Sequence, residues 1–273
     1  VILLLAALLA QDLSSVAPDL TTPPMTRDEP AAGRRVRQTT PGWEKTEVHH
    51  ALYLPRDWKA GGKYPVIVEY AGNGNYKNAF GDVSNGTVDG SNLGYGISGG
   101  EGFLWVCMPY VTAEKTNAVT WWGDIDETKR YCLKTVALVC EKYGGDPKKL
   151  VLAGFSRGSI GCNYIGLRDD EIAPLWRAFV AYSHYDGQRT DWGYAGCDRA
   201  AALERLNRLK GRPQFICMEN SVDAIRKYVE GTGVKGDFTF QTIGFRNHSD
   251  QWTLRDIPER KALREWLRQK LSD

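Results

Sequence analysis

The sequence predicts one α/β domain: a mostly parallel, twisted sheet of about eight strands flanked by helices. Three observations carry that reading. From Gly42 onward, short runs rich in β-branched and aromatic residues alternate with segments of helical periodicity. The short runs are nearly continuous in apolar residues, the mark of strands covered on both faces. Within 273 residues there is no internal repeat and no shift of composition that would mark a second domain.

Taken in order, "TEVHHALYLP" (46–55) alternates polar and apolar residues, as an antiparallel edge strand does. Further strands are expected at 63–70, 102–110, 149–154, 177–183, 213–219 and 237–245, with helices at 126–143, 157–168, 198–210, 223–230 and 255–271. The last helix gathers Ala262, Leu263, Trp266 and Leu267 on one face. The folded domain thus spans 43–273. Ahead of it, the polar, proline-bearing stretch 11–42, with its basic run "GRRVR" (33–37), reads as a flexible linker. Residues 1–10, "VILLLAALLA", read as the apolar part of an export signal cut near Gln11, too short to span a bilayer. The expected location is secreted or periplasmic, without stable membrane insertion.

Charge excludes some partners. With 35 basic and 33 acidic side chains the net charge is +2, too small a field to draw nucleic acid or an anionic membrane. Histidines 49, 50, 184 and 248 have no zinc-ligand spacing and no CxxC is present, so no metal is expected. Of the six cysteines, Cys107 and Cys217 fall in apolar strands and read as core residues. Cys132 and Cys140 lie about 12 Å apart along one helix and cannot bond to each other. Cys132, Cys140, Cys162 and Cys197 are left as possible disulfide partners in an exported protein.

In an open parallel sheet, ligands bind beyond the carboxyl ends of the strands. At one such end stands "VLAGFSRGSIG" (151–161), a G-x-S-x-G pattern between a strand and a helix. The turn crowds the positions two residues either side of Ser156, and Gly154 and Gly158 relieve it. The competing role for Ser156 is a plain helix cap. A serine hydroxyl needs a base and a group to orient that base. His248, in the loop after the last strand, is the expected base; Asp223, after the penultimate strand, is the expected acid, with Glu219 and Asp186 as alternatives.

An oxyanion needs main-chain donors: one from Arg157, just after the serine, and one from Asn73 in the turn "YAGNGNY" (70–76). That turn is not a phosphate loop, because no G-K-[ST] follows it. Tyr70, Trp121, Trp122, His184 and Trp252 stand on neighbouring loops and are expected to line a substrate pocket, their flat faces suited to sugar rings or an aryl acyl group. The glycine-rich stretch 80–100 is expected to form one wall or a mobile cover. Asn85 and Asn247 lie in glycosylation sequons, and a glycan on Asn247 would crowd His248.

Ser156, Asp223 and His248, in that chain order and with a glycine-rich oxyanion turn upstream, resemble an α/β-hydrolase over residues 43–273. More narrowly, "KYGGDPKKLVLAGFSRG" (142–158) is similar to secreted feruloyl and acetylxylan esterases and polyester depolymerases. The resemblance implies cofactor-free hydrolysis of carboxylic esters through an acyl-enzyme, with acylated plant or algal polysaccharide as substrate. The arginine after the serine resembles glucuronoyl esterases, in which that side chain assists the oxyanion, although Phe155 and Gly158 depart from their pattern. A polyester hydrolase, an exopeptidase of the same fold and a non-catalytic carbohydrate-binding protein are the competing expectations.

Overall fold

A computed structural model describes residues 10–272. Its strands are β1 (Met25–Thr26), β2 (Arg35–Gln38), β3 (His50–Tyr53), β4 (Tyr64–Tyr70), β5 (Tyr76–Lys77), β6 (Val83–Ser84), β7 (Leu104–Met108), β8 (Gly145–Phe155), β9 (Ala178–Tyr182), β10 (Pro213–Glu219) and β11 (Asp237–Ile243). Nine form one sheet in the order β1-β2-β3-β7-β4-β8-β9-β10-β11, and β5 pairs with β6 in a small separate hairpin. From β7 to β11 the main sheet is parallel throughout, while β3 runs antiparallel to both β2 and β7. The helices are α1 (Leu93–Ser98), α2 (Ile125–Tyr143), α3 (Arg157–Tyr164), α4 (Arg199–Asn207), α5 (Asp223–Gly231) and α6 (Pro258–Leu271).

The apolar strand runs feed two cores, because successive side chains point to opposite faces. Val66, Val68, Leu150 and Leu152 pack with residues of α2, α3, α4 and α5 on one face. Ile67, Val151, Ala153 and Phe155 pack with α1 and α6 on the other. Leu263, Trp266 and Leu267 of α6 are buried there, as their spacing predicts, whereas Ala262, expected on the same face, is exposed.

The segment 11–42 is not a linker. Gln11 pairs with the chain after β11, Leu13 is buried, and Arg260 holds Asp19 through two contacts of 2.7 Å. Within the basic run, Val36 is fully buried and Arg35 lies over the Trp105 ring at 4.6 Å, its guanidinium donating to the carbonyls of Val88 and Asp89. Composition misled here because an arginine whose terminal nitrogens meet carbonyls and whose guanidinium lies on an aromatic face is tolerated inside. With β1 and β2 added outside it, β3 becomes an interior strand, which explains why all four of its residues are buried. The stretch 80–100 is likewise structured, carrying β6 and the buried helix α1. All six cysteines are free thiols, so no disulfide joins the candidate partners. The export-signal reading of residues 1–10 falls, but for Ala10, outside the described residues. Among the described residues no helix is long and apolar enough to cross a membrane.

One core carboxyl gives the fold a pH signature. Glu69 is completely buried; its Oε2 accepts from Gly94 N–H and Trp105 Nε1, both at 2.8 Å, while Oε1 has no partner among the described residues. Burial first, and nearby Asp250 second, push its pKa from 4.5 up to about 8. A raised carboxyl keeps its proton in the fold after the unfolded chain has lost it, so its contribution is intact below 4.5 and falls as pH rises toward 8. The loss is about 1.4 kcal/mol per pH unit in that window. Glu69→Gln retains an acceptor without the charge; its melting temperature is expected to match the parent near pH 5 and to exceed it above pH 8. A difference independent of pH would contradict this account.

Candidate active site

The chain enters the site through a strained turn. Ser156 has φ 54° and ψ −113°, between the end of β8 and the start of α3. A Cβ on Gly154 would stand 2.0 Å from Gly158 O, and one on Gly158 would stand 1.9 Å from Tyr70 O. Only glycine fits at either position. The strain lifts the Ser156 hydroxyl above the sheet, where Oγ lies 3.0 Å from His248 Nε2.

The other ring nitrogen of His248 meets Glu219 Oε1 at 2.7 Å. Glu219 is the last residue of β10 and is nearly buried. Asp223, the residue expected in this role, opens α5 on its exposed side, and among the described residues its side chain bonds only with Ser221. The reason is reach: the longer glutamate side chain, at the strand end itself, touches the imidazole, whereas Val222, Ile225 and Val229 take the inward face of α5. Asp186 is engaged elsewhere, in a buried ion pair with Arg205. Burial alone would raise Glu219, but the hydrogen bonds from His248 and Ser183 outweigh it and hold the carboxyl below its usual range.

Ser183, which the sequence reading missed, lies beside this pair, its Oγ 2.8 Å from both Glu219 Oε1 and His248 Nδ1. It adopts φ 64° just beyond β9. Asp82 braces the loop from the other side: Oδ2 accepts the main-chain N–H of His248 at 2.8 Å, and Oδ1 accepts Asn247 Nδ2 at 2.9 Å. Because the Asn247 side chain is buried and also accepts Leu13 N–H, the sequon there has no room for a glycan.

A cavity of about 130 Å³ opens beside Ser156, lined by Asn73, Tyr76, Ser84, Trp121, Arg157, Ile160, His184, Trp192 and His248. Trp121 and His184 are thus among its lining residues. Tyr70 and Trp122 are not: both are buried in the core, Tyr70 against Tyr110, and Trp122 against Tyr110, Tyr164 and Tyr194. Trp252 is also buried, behind Tyr182. Strand-end aromatics pointing into the sheet's cores cannot be told from pocket aromatics by position alone. Tyr76, on β5, and Trp192 supply aromatic walls in their place, Tyr76 lying 4.9 Å from the His248 ring. His184 is 5.4 Å from the same ring; burial, and then the neighbouring His248, push its pKa down to about 4 and keep it neutral.

The main-chain N–H groups of Asn73 and Arg157 make no hydrogen bond among the described residues, although both residues line the cavity. The Arg157 side chain does not lie on the surface. It is buried, stacks on Tyr110 at 3.8 Å, and donates to the carbonyls of Trp121, Gly72 and Gly86. Asn73 Oδ1 meanwhile accepts Trp121 N–H at 2.8 Å, so the positive-φ residue Trp121 is held from both sides. Arg157→Lys cannot span three carbonyls; stranding buried acceptors costs about 1–3 kcal/mol each. Its melting temperature is expected to fall by several degrees, and an unchanged melt would contradict this role.

Among the described residues no group of three or more potential ligands could hold a metal ion. A larger open hollow of about 450 Å³ lies between α4 and α5, bordered by Arg199, Lys227 and Tyr228 and lacking any paired nucleophile and base.

No protein-family model matches the chain, and no curated protein sequence matches it. Solved structures do. An S-formylglutathione hydrolase from Agrobacterium tumefaciens superposes with TM-score 0.59 at 17% identity, covering 89% of this chain and 98% of that one. Thermogutta terrifontis esterase 2, solved phosphorylated by paraoxon, gives TM-score 0.54 at 15% identity, covering 86% and 94%. Porphyromonas gingivalis dipeptidyl peptidase 4 gives TM-score 0.53 at 14% identity, covering 86% of this chain but 36% of that one. The chain spans only 35% of another matched peptidase-type structure and 62% of a thermostable esterase. These likenesses, with the sheet order above, establish the α/β-hydrolase fold.

Proposed function

We propose that this α/β-hydrolase-fold chain is a serine carboxylesterase that removes short acyl groups, acetyl foremost, from polysaccharide-linked esters. One observation carries the reading: the unbroken hydrogen-bonded path from Ser156 Oγ through the His248 ring to Glu219. His248 Nε2 takes the serine proton as Oγ attacks the ester carbonyl, and Glu219 stabilises the imidazolium and fixes its tautomer. The N–H groups of Arg157 and Asn73 receive the oxyanion. His248 returns the proton to the leaving alcohol, and water hydrolyses the acyl-enzyme by the same steps in reverse. A neutral His184 adds no repulsion against the imidazolium.

The cavity supports a small acyl group, since about 130 Å³ is well below the roughly 300–1,000 Å³ of ordinary ligand pockets. No carboxylate lines it to hold a peptide amine, which favours an esterase over an exopeptidase. A p-nitrophenyl ester series tests the reading: kcat/KM is expected to be highest for acetate and to fall by about tenfold or more by octanoate, each tenfold being 1.4 kcal/mol. A rise with chain length would overturn the short-acyl assignment.

A further inference from the structure

A second cleft, of about 110 Å³, shares one lining residue, Ser84, with the first. Its lining includes Gly72 and Phe155, which bracket the serine: a Cβ on Gly72 would lie 3.3 Å from Ser156 Cβ, and the Phe155 ring is 4.8 Å from that of His248. Its walls come from 83–87 and 90–92 on one side and Ser249, Asp250 and Gln251, directly after His248, on the other.

The chemistry of this cleft differs from that of the aromatic cavity. No lysine, arginine or histidine lines it, and its one carboxylate, Asp250, is already engaged by Asn92 through N–H at 2.8 Å and Nδ2 at 3.1 Å. By contrast, three residues that line it carry side-chain polar atoms with no hydrogen-bond partner among the described residues: Ser84 Oγ, Asn85 Nδ2 and the side-chain amide of Gln251. Such neutral donors and acceptors suit a ligand with many hydroxyls and no charge. They give little to an alkyl chain.

We infer that this cleft is the alcohol subsite, and that the alcohol released is a neutral sugar unit. The inference rests on the esterase reading above. The bond from Ser156 Oγ to the acyl carbon forms, the bond from that carbon to the sugar oxygen breaks, and the oxygen takes its proton from His248, whose loop continues into the cleft wall. Water then completes hydrolysis and releases the carboxylic acid.

The test uses Gln251→Trp, which fills the cleft from an exposed position, and Gln251→Ala, which only removes the amide. The expected readout is the ratio of kcat/KM for acetylated xylotriose to that for p-nitrophenyl acetate, falling about tenfold in the first variant and about threefold in the second, chiefly through KM. An unchanged ratio, or a parent enzyme that cleaves the nitrophenyl ester but not the acetylated sugar, overturns the subsite and leaves the esterase intact. Binding of unacylated xylotriose to Ser156→Ala, followed by NMR, reads the cleft without turnover. Its loss on adding Gln251→Trp supports the inference, and its persistence or absence throughout overturns it. Absence of Ser156-dependent turnover on every ester instead overturns the esterase reading.

Discussion

Ser156→Ala is expected to lower kcat on p-nitrophenyl acetate by about 10⁵-fold or more while the protein stays folded. Among the described residues the hydroxyl makes one hydrogen bond, to His248, and the main-chain bond from Ser156 N–H to Tyr182 O survives the change. Stability therefore changes little, and a thermal melt on the same sample separates lost chemistry from lost fold. His248→Ala should cost a similar factor. The double variant should be hardly worse than either single one, because residues acting as one unit do not lose their effects additively. Additive losses would show that the two side chains work independently.

Glu219→Gln is expected to lower kcat by about 10³- to 10⁴-fold with KM little changed. The amide still fills the space beside His248 Nδ1, but it can present N–H where the carboxylate accepts, which favours the wrong imidazole tautomer and offers no charge to the imidazolium. Asp223→Ala, on the exposed start of α5, is expected to leave kcat within about twofold, as surface changes away from structural features do. The reverse pattern, a large loss at 223 and none at 219, would return the acid to the position expected from the sequence.

The pair of substitutions marks where the sequence was legible. A serine between two glycines, at the junction of an apolar run and a helical pattern, has few solutions, since Gly154 and Gly158 each face a backbone oxygen at about 2 Å from any added Cβ. The loop position of His248 followed from strand order. The acid was harder: Glu219 and Asp223 sit four residues apart around one turn, and only the end of β10 and the face of α5 tell them apart. Composition failed for residues 11–42, because a polar, proline-bearing segment can still add two short strands and bury Arg35 against Trp105 and backbone carbonyls. It failed again for the aromatics. Trp122 and Trp252 belong to the cores, whereas Trp192, in a loop with no strand signal, reaches the cavity through its edge-on contact with Trp121 at 5.6 Å. Ser183 carried no signal at all, since its role depends on the positive φ that turns its hydroxyl toward Glu219 and His248.

The most direct test is the mass of the folded protein after exposure to paraoxon. An activated serine is expected to take one diethylphosphoryl group, mapped by peptide digestion to Ser156, with labelling absent in Ser156→Ala and slowed by orders of magnitude in His248→Ala. A folded protein that takes no label, or takes it at another residue, would contradict the account.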